Sequence, residues 1–326
     1  MHSSSPRKRG EPHSSRMRIA IAGSSGLAQV FASHLSETAH IFIILARHPK
    51  PALEQLGYQV IVVDYNSQEE LRYSLRGIDL VISTVQGHAQ INLIDAAAHA
   101  RVRRFVPAEF EGPPVRRPSR NDPLDRGRVA SLERLRHWST SRSHPLRSTT
   151  FVCGIFYERF ARGGLASLNI GGSTLNNHQG AYLMDVGRLT AEIVECHANG
   201  SPVNLCMTTV YDLAKFMIAA IELGPSTWPS EFRMQGDRLS TSSILQAAEA
   251  VRGGVLFSTT TIPANDLQAN LDYATYYGDW AKVARLNELI ATEQRRYDFS
   301  SPNLNALVNV QPISFWNWLC YHWGAQ

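Results

Sequence analysis

The sequence predicts an α/β fold, a doubly wound parallel sheet followed by a smaller domain, on three observations. Short apolar runs alternate with helical patterns from residue 17 onward. The first run, Ile19–Ala22, breaks on Gly23 and Gly26 into a helical pattern over Leu27–Leu35. After residue 153 the regular alternation ends.

The elements follow in order. Strands are expected at Ile19–Ala22, Ile41–Ala46, Gln59–Val63, Leu80–Thr84, Arg104–Val106 and Thr150–Val152. Helices are expected between them at Leu27–Leu35, Pro51–Leu56, Gln68–Leu75, Ile91–Ala100 and Pro123–Trp138. Strands that are apolar throughout must be covered on both faces, which a parallel sheet between two helix layers provides. Right-handed crossovers then make the sheet Rossmann-like. Asp122 is read as the cap of the helix at Pro123, with Asp125 in its first turn. Residues 111–121, rich in Pro and Arg, are expected as a loop near the mouth of a site. Residues 163–180, rich in Gly, Ser and Asn, read as loops or a hairpin. Amphipathic helices are expected at Thr208–Leu223, with Thr209 and Asp212 in capping-box spacing, at Ser240–Val251 and at Asp279–Tyr297. The aromatic run Phe315, Trp316, Trp318, Tyr321, Trp323 is read as core or a subunit contact, with substrate contact as the alternative. The boundaries are drawn at 1–16 for a tail, 17–153 for the sheet domain and 154–326 for a substrate domain that shares some structure with it.

Composition excludes several classes. The chain has 326 residues, enough for a sizeable core, and no apolar run approaches the ~20 residues that span a bilayer. The four cysteines are far apart and the twelve histidines show no ligand spacing, so no metal and no disulfide framework is expected. Of the net charge of +4, +3 falls in residues 1–16 through Arg7, Lys8, Arg9 and Arg16 against Glu11. The near-neutral remainder argues against a nucleic-acid footprint. The Ser- and Pro-rich tail lacks a secretory apolar region and reads as a disordered extension, with a transit peptide as the minor alternative. A cytoplasmic location follows from this reading.

Ligands in such sheets sit beyond the carboxyl ends of the strands. After the first strand, Gly23, Ser24, Ser25, Gly26 and Leu27 form a turn whose amides suit a dinucleotide pyrophosphate at a helix N-terminus. After the second come Arg47 and Lys50, where an acid would select an unphosphorylated ribose and an Arg instead pairs with a 2′-phosphate, unless it is a plain surface residue. After the third comes Asp64, facing the adenine or capping the next helix. Thr84, Val85 and Gln86 follow the fourth strand, where small groups let a dinucleotide approach. Pro107 and Glu109 follow the fifth, near the expected nicotinamide. Phe156, Tyr157 and Phe160 follow the sixth; Tyr157 is singled out because its phenol can donate a hydrogen bond. Arg116, Arg117 and Arg120 read as a solvated loop face, or as groups meeting an acidic substrate.

These segments together resemble the NmrA-like and isoflavone-reductase-like family of atypical short-chain dehydrogenases, most of all its fungal members. The resemblance runs through "RIAIAGSSGLAQ", "DLVISTVQGHAQINLIDAAAHARVRRFVPAEFEG" and "FVCGIFYERF", with weaker support in "TTVYDLAKFMIAAIEL". "RRFVPAEF" looks like the family's RF-x-PSEF strand and turn. The resemblance implies an NADPH-binding domain and a smaller substrate domain. It also implies a catalytic lysine near the start of the helix after that turn. Here Arg126 or Arg128 takes its place, and no lysine lies between residues 51 and 214. A guanidinium stays protonated, so it stabilises negative charge but does not shuttle a proton. The family's third glycine is replaced by Gln29, with Ala28 and Ala32 as small neighbours. The pair Tyr211 and Lys215 matches the Y-x-x-x-K dyad of classical short-chain dehydrogenases but lies after the sixth strand, where that dyad does not belong.

The function expected is an NADPH-dependent reductase of secondary metabolism, acting on a small aromatic or polyketide-like carbonyl, enone or ether. Arg126, Arg128 and Tyr157 are its candidate catalytic residues. The alternatives are a non-catalytic NADP(H)-sensing regulator with a protein partner, and a non-redox isomerase or cyclase. The expected partner of the enzyme is a small molecule, with no membrane and with homodimerisation left open.

Overall fold

The computed structural model describes residues 16–118, 121–172 and 174–324. The basic tail expected over 1–16 lies, apart from Arg16, outside the described residues. Six strands form the central sheet: β1 (Arg18–Ala22), β2 (Ile41–Ala46), β3 (Gln59–Val62), β4 (Leu80–Ser83), β5 (Arg104–Val106) and β6 (Arg147–Ser148). Their order is β3-β2-β1-β4-β5-β6 and every neighbouring pair is parallel. The order reverses between β1 and β4, the place where doubly wound sheets open a crevice.

The strands show why their sequences are apolar throughout. Ile19 and Ile21 pack with Phe31 of α1 (Leu27–Leu35) and with Leu213 and Met217 of α6 (Val210–Leu223). The alternate residues Ala20 and Ala22 pack with Leu71 of α3 (Gln68–Ser74), Leu93 of α4 (His88–His99) and Leu135 of α5 (Arg128–Ser139). Successive side chains point to opposite faces, so β1 feeds two cores at once. Phe31 is fully buried; truncating such a ring to alanine costs roughly 3–5 kcal/mol. The short α2 (Pro51–Gln55) connects β2 to β3.

Two expected elements are displaced. The sixth strand of the sheet is Arg147–Ser148, and Thr150–Val152 forms a separate strand, β7, paired with β12 (Glu231–Arg233). The helix expected from Pro123 begins at Arg128. Asp122 accepts from the Leu124 amide at 3.0 Å, making a local turn. Asp125 supplies the cap instead, accepting from the amides of Arg128 (2.9 Å) and Val129 (3.1 Å).

The second half adds three small sheets. Besides β7 with β12, β8 (Ile155–Phe156) pairs with β11 (Asn204–Thr208), which pairs with β13 (Asp237–Ser240). The third contains β9 (Met184–Asp185), β10 (Thr190–Ile193) and β14 (Ser258–Thr261). Around them lie α7 (Thr241–Val251), α8 (Leu267–Tyr276), α9 (Trp280–Glu293), α10 (Asn303–Leu307) and α11 (Phe315–Trp323). Thr209 caps α6 by accepting from the Asp212 amide at 2.8 Å. The aromatic run divides by helix face: Phe315, Trp318 and Trp323 are core, while Trp316 and Tyr321 are exposed. No helix among the described residues is long and apolar enough to cross a membrane.

Candidate active site

A cavity of about 1120 Å³ opens beyond the carboxyl ends of the central strands, where the reversal of strand order places it. Its first wall is the turn after β1. Gly23 has φ +106°, and a Cβ there would stand 2.2 Å from Thr84 Oγ1. Thr84 is itself held, donating to the Ala22 carbonyl at 2.8 Å. Ser24, Ser25 and Leu27 also line the cavity. Among the described residues no side chain caps α1; the amides of Ala28 and Gln29 are taken by the Ser25 and Gly26 carbonyls (3.1 and 3.0 Å), which leaves the Leu27 amide and the positive dipole end facing an anion. Gly26 (φ +49°) is the cap residue of α1 and packs away from the wall, where a Cβ would meet the Asn169 carbonyl at 2.6 Å.

Gln29, at the position of the family's third glycine, does not obstruct the turn. Its Nε2 donates to the Ser24 carbonyl at 3.0 Å and braces it. Ala28 and Ala32, both fully buried, provide the close approach of helix to sheet. Tyr65, missed in the sequence, completes the support. Its phenol donates to the Leu45 carbonyl (3.0 Å) and accepts from the Gly23 amide (3.1 Å). Burial raises the pKa of that phenol above the usual tyrosine value and keeps it protonated.

Beyond β2, Arg47 and Lys50 line the cavity, and neither has an ion-pair partner among the described residues. Thr84, Val85 and Gln86 line it beyond β4. Asp64 is off the wall. Its Oδ1 accepts from the Asn66 amide and side chain at 2.9 and 3.1 Å, closing the turn before α3.

The turn after β5 departs most from expectation. Pro107 and Glu109 do not line the cavity; Ala108, Phe110 and Glu111 do. Gln90, buried on α4, fixes this turn by accepting from the Ala108 amide at 2.8 Å. Glu109 is fully buried against Arg117, whose side chain is 3% exposed, so Arg117 is no solvated loop residue. Arg116 is exposed, and Arg120 lies outside the described residues. Glu111 is the hub of the cluster. It accepts from Arg296 Nη2 at 3.0 Å and from Arg128 Nη1, and it forms an ion pair with Arg117, whose Nε lies 2.9 Å away. Burial pushes the Glu111 carboxyl up, but three guanidiniums outweigh it and hold it well below the usual carboxylate range.

This cluster separates the two candidate arginines. Arg128 lines the cavity but is buried and bonded to Glu111. Arg126 lines it half-buried, with no hydrogen-bond or ion-pair partner among the described residues. Burial and the neighbouring Arg128 lower its pKa from the usual arginine value. Tyr157 is a correction. It is packed in the core against Phe315 and Trp318, and its phenol donates to Asp237 Oδ2 at 3.2 Å. Phe156, one residue earlier, faces the cavity instead. Glu288, Arg159 and Tyr297 also line the cavity and were not anticipated. Glu288 accepts from Arg159 Nη2 at 3.3 Å and from the Tyr297 phenol at 2.6 Å. Tyr211 and Lys215 stand off the wall, Tyr211 half exposed and Lys215 paired with Asp212 at 2.9 Å.

Residues 15–295 match the model of the NmrA-like family, which is most of the chain. The chain belongs to the NmrA-like family. This NmrA-like protein is 36% identical over 101 residues to the oxidoreductase swnR of Metarhizium robertsii and 30% identical to that of Arthroderma benhamiae. Each match covers 29% of this chain and 33% of the relative, so the chain spans about a third of the length of the curated relatives it matches. Solved structures resemble the NmrA-like chain over nearly its whole length. The pinoresinol–lariciresinol and phenylcoumaran benzylic ether reductases superpose with a TM-score of 0.68 at 18% identity, over 94% of this chain and 99% of theirs. Leucoanthocyanidin reductase from Vitis vinifera, solved as a ternary complex, gives 0.64 at 20% identity over 93% and 98%. An NADPH-dependent quinone oxidoreductase from Escherichia coli, complexed with NADPH, gives 0.65 at 16% identity over 93% and 99%. At these identities the likeness is one of fold.

Proposed function

We propose that this NmrA-like protein is an NADPH-dependent reductase acting on a small aromatic or polyketide-like carbonyl, enone or ether. One observation carries the reading. A single cavity joins the uncapped helix turn and Arg47, on the β2 side of the strand reversal, to an unpaired Arg126 on the β5 side. The fit to a dinucleotide rests on the chain's own geometry. The close approach at Gly23 leaves no room for a side chain beneath the turn, and the Leu27 amide with the positive dipole end of α1 suits a pyrophosphate. Arg47 and Lys50 suit a 2′-phosphate. The relatives point the same way, being oxidoreductases, reductases and in one case an NADPH complex.

Bound NADPH supplies a hydride. The protein's part is to position the acceptor and stabilise the charge that develops on it. Phe110, Leu124 and Phe156 give that end of the cavity an apolar wall. The Arg126 guanidinium donates to the acceptor oxygen and stabilises negative charge there. It does not itself give up a proton. With Tyr157 bonded elsewhere and the Tyr297 phenol donating to Glu288, the proton comes from water.

A second reading, an NADP(H)-sensing regulator, is favoured by the engagement of both phenols, Tyr157 with Asp237 and Tyr297 with Glu288. Titration with NADPH, NADH and NADP+, followed by nicotinamide emission, tests the cofactor site. NADPH-selective binding is expected, and no binding by any of the three overturns both readings. Consumption of bound NADPH in an acceptor screen then supports the reductase, and its absence across carbonyl, enone and ether acceptors favours the regulator.

A further inference from the structure

One positive charge of the cavity stands apart from the residues that suit a dinucleotide's phosphates. Among the described residues, five basic side chains line it (Arg47, Lys50, Arg126, Arg128 and Arg159) against the acids Glu111 and Glu288. Arg128 is answered by Glu111 and Arg159 by Glu288. Arg47 and Lys50 stand beyond β2, across the strand reversal from the acceptor end. On the β5 side Arg126 alone is a half-buried cation with no carboxylate in ion-pair contact among the described residues, Glu288 and Glu111 acting on it only at longer range. A charge withdrawn from water and left unpaired is costly, and a bound anion offsets that cost.

The backbone at Arg126 is firmly placed. Asp125 accepts from the amides of Gly127, Arg128 and Val129. Gly127 packs so closely on Gly87 that a Cβ would stand 2.7 Å from the Gly87 Cα. The guanidinium is thus carried on a rigid turn, and its planar fork matches the two oxygens of a carboxylate. One edge of the fork takes a carboxylate, and its remaining N–H reaches an oxygen on an adjoining carbon.

We propose that Arg126 anchors a carboxylate on the substrate, so that the acceptor is a small oxo acid whose carboxylate lies one or two carbons from the reducible carbonyl. This rests on the reductase reading and names its substrate class. The apolar wall of Phe110, Leu124 and Phe156 takes the remainder of that acid, which an aromatic ring fills.

The test uses benzoylformate and its neutral methyl ester as matched probes. Each is titrated by calorimetry into the full-length protein, alone and saturated with NADP+. Benzoylformate is expected to bind at least tenfold more tightly than the ester. Arg126→Gln, its fold checked by thermal midpoint, is expected to remove that difference, and Arg126→Lys to keep part of it. Equal binding of acid and ester overturns the proposal, as does no binding of the acid in either state. Retention of the preference in Arg126→Gln also overturns it. If NADP+ fails to bind while the acid still binds through Arg126, the reductase reading falls and the carboxylate site stands.

Discussion

Arg296 donates to Glu111 Oε1 through both Nε (3.2 Å) and Nη2 (3.0 Å), across 185 residues of sequence. The same guanidinium reaches Asp122 at 2.8 and 3.0 Å. The contact ties the turn after α9 to the turn after β5, and with it the floor of the cavity. Three carboxylates (Glu109, Glu111, Asp122) meet three guanidiniums (Arg117, Arg128, Arg296), so the buried charges are matched.

Removing the hub leaves the buried Arg128 guanidinium without a partner and Arg117 and Arg296 with one carboxylate each. Glu111→Gln is therefore expected to cost roughly 3–5 kcal/mol of stability at neutral pH. Because the Glu111 carboxyl is held low in the folded protein, its contribution is full above the ordinary carboxylate range and is lost as pH falls below it. Urea unfolding of both proteins from neutral pH downward checks this. The gap should be constant near neutrality and narrow in acid. Equal midpoints at neutral pH would show that the cluster reorganises around the neutral amide.

The unpaired Arg47 gives a second expectation. Arg47→Asp should weaken NADPH binding by tenfold or more through lost charge pairing, while NADH, lacking the 2′-phosphate, loses far less. Parallel fluorescence titrations measure it. Equal losses for the two cofactors would sink the assignment of Arg47 to the 2′-phosphate.

The fold was legible because the main signals were local. β2, β5 and α1 occupy Ile41–Ala46, Arg104–Val106 and Leu27–Leu35 as their apolar patterns and the glycine break require. The sixth strand was misplaced because Arg147–Ser148 carries no apolar pattern; position beside β5 makes it a strand, through pairing with Arg104 and Phe105. The start of α5 was misplaced because Asp122 and Asp125 are both good caps, and Arg296, far along the chain, engages the first. The phosphate turn lay in one segment and was readable. Tyr65, Glu111, Glu288 and Tyr297 come from separate segments, and only folding brings them to one cavity. The sole sequence signal for Glu111 was an excess of nearby arginines, from Arg116 to Arg128, which needs acids to answer it.

Gly23 tests the close approach of turn and sheet. Gly23→Ala places a methyl against Thr84 Oγ1, which cannot swing away without releasing the Ala22 carbonyl, and it also forces an L residue to φ +106°. A loss of about 1–3 kcal/mol is expected, with a tenfold or greater loss of NADPH affinity. Adding Thr84→Ala relieves the contact but not the backbone strain, so stability should return only in part. Thermal melts and cofactor titration of the single and double variants check this. Full affinity in Gly23→Ala would show that the turn does not bear on the cofactor.

Glu158 has the opposite pH signature to Glu111. It is 3% exposed, beside the cap of α6, and both its oxygens lie 3.2 Å from the Val210 amide. Burial pushes its carboxyl up to about 8, against the opposing pull of backbone hydrogen bonds, with Asp212 adding to the rise. The folded protein thus holds a proton that the unfolded chain releases near the ordinary carboxylate value of about 4.5. The contribution of Glu158 is full below that value and is lost as pH rises through about 8. Glu158→Gln keeps an acceptor for the Val210 amide and never ionises. Wild type and variant should unfold at similar urea concentrations near pH 5. By pH 9 the variant should be the more stable, by on the order of a few kcal/mol. Glu111 acts below the ordinary carboxylate range and Glu158 above it, so one pH series of the two single variants separates their effects. Parallel profiles for wild type and Glu158→Gln across pH 5–9 would show that Glu158 is already ionised at pH 5.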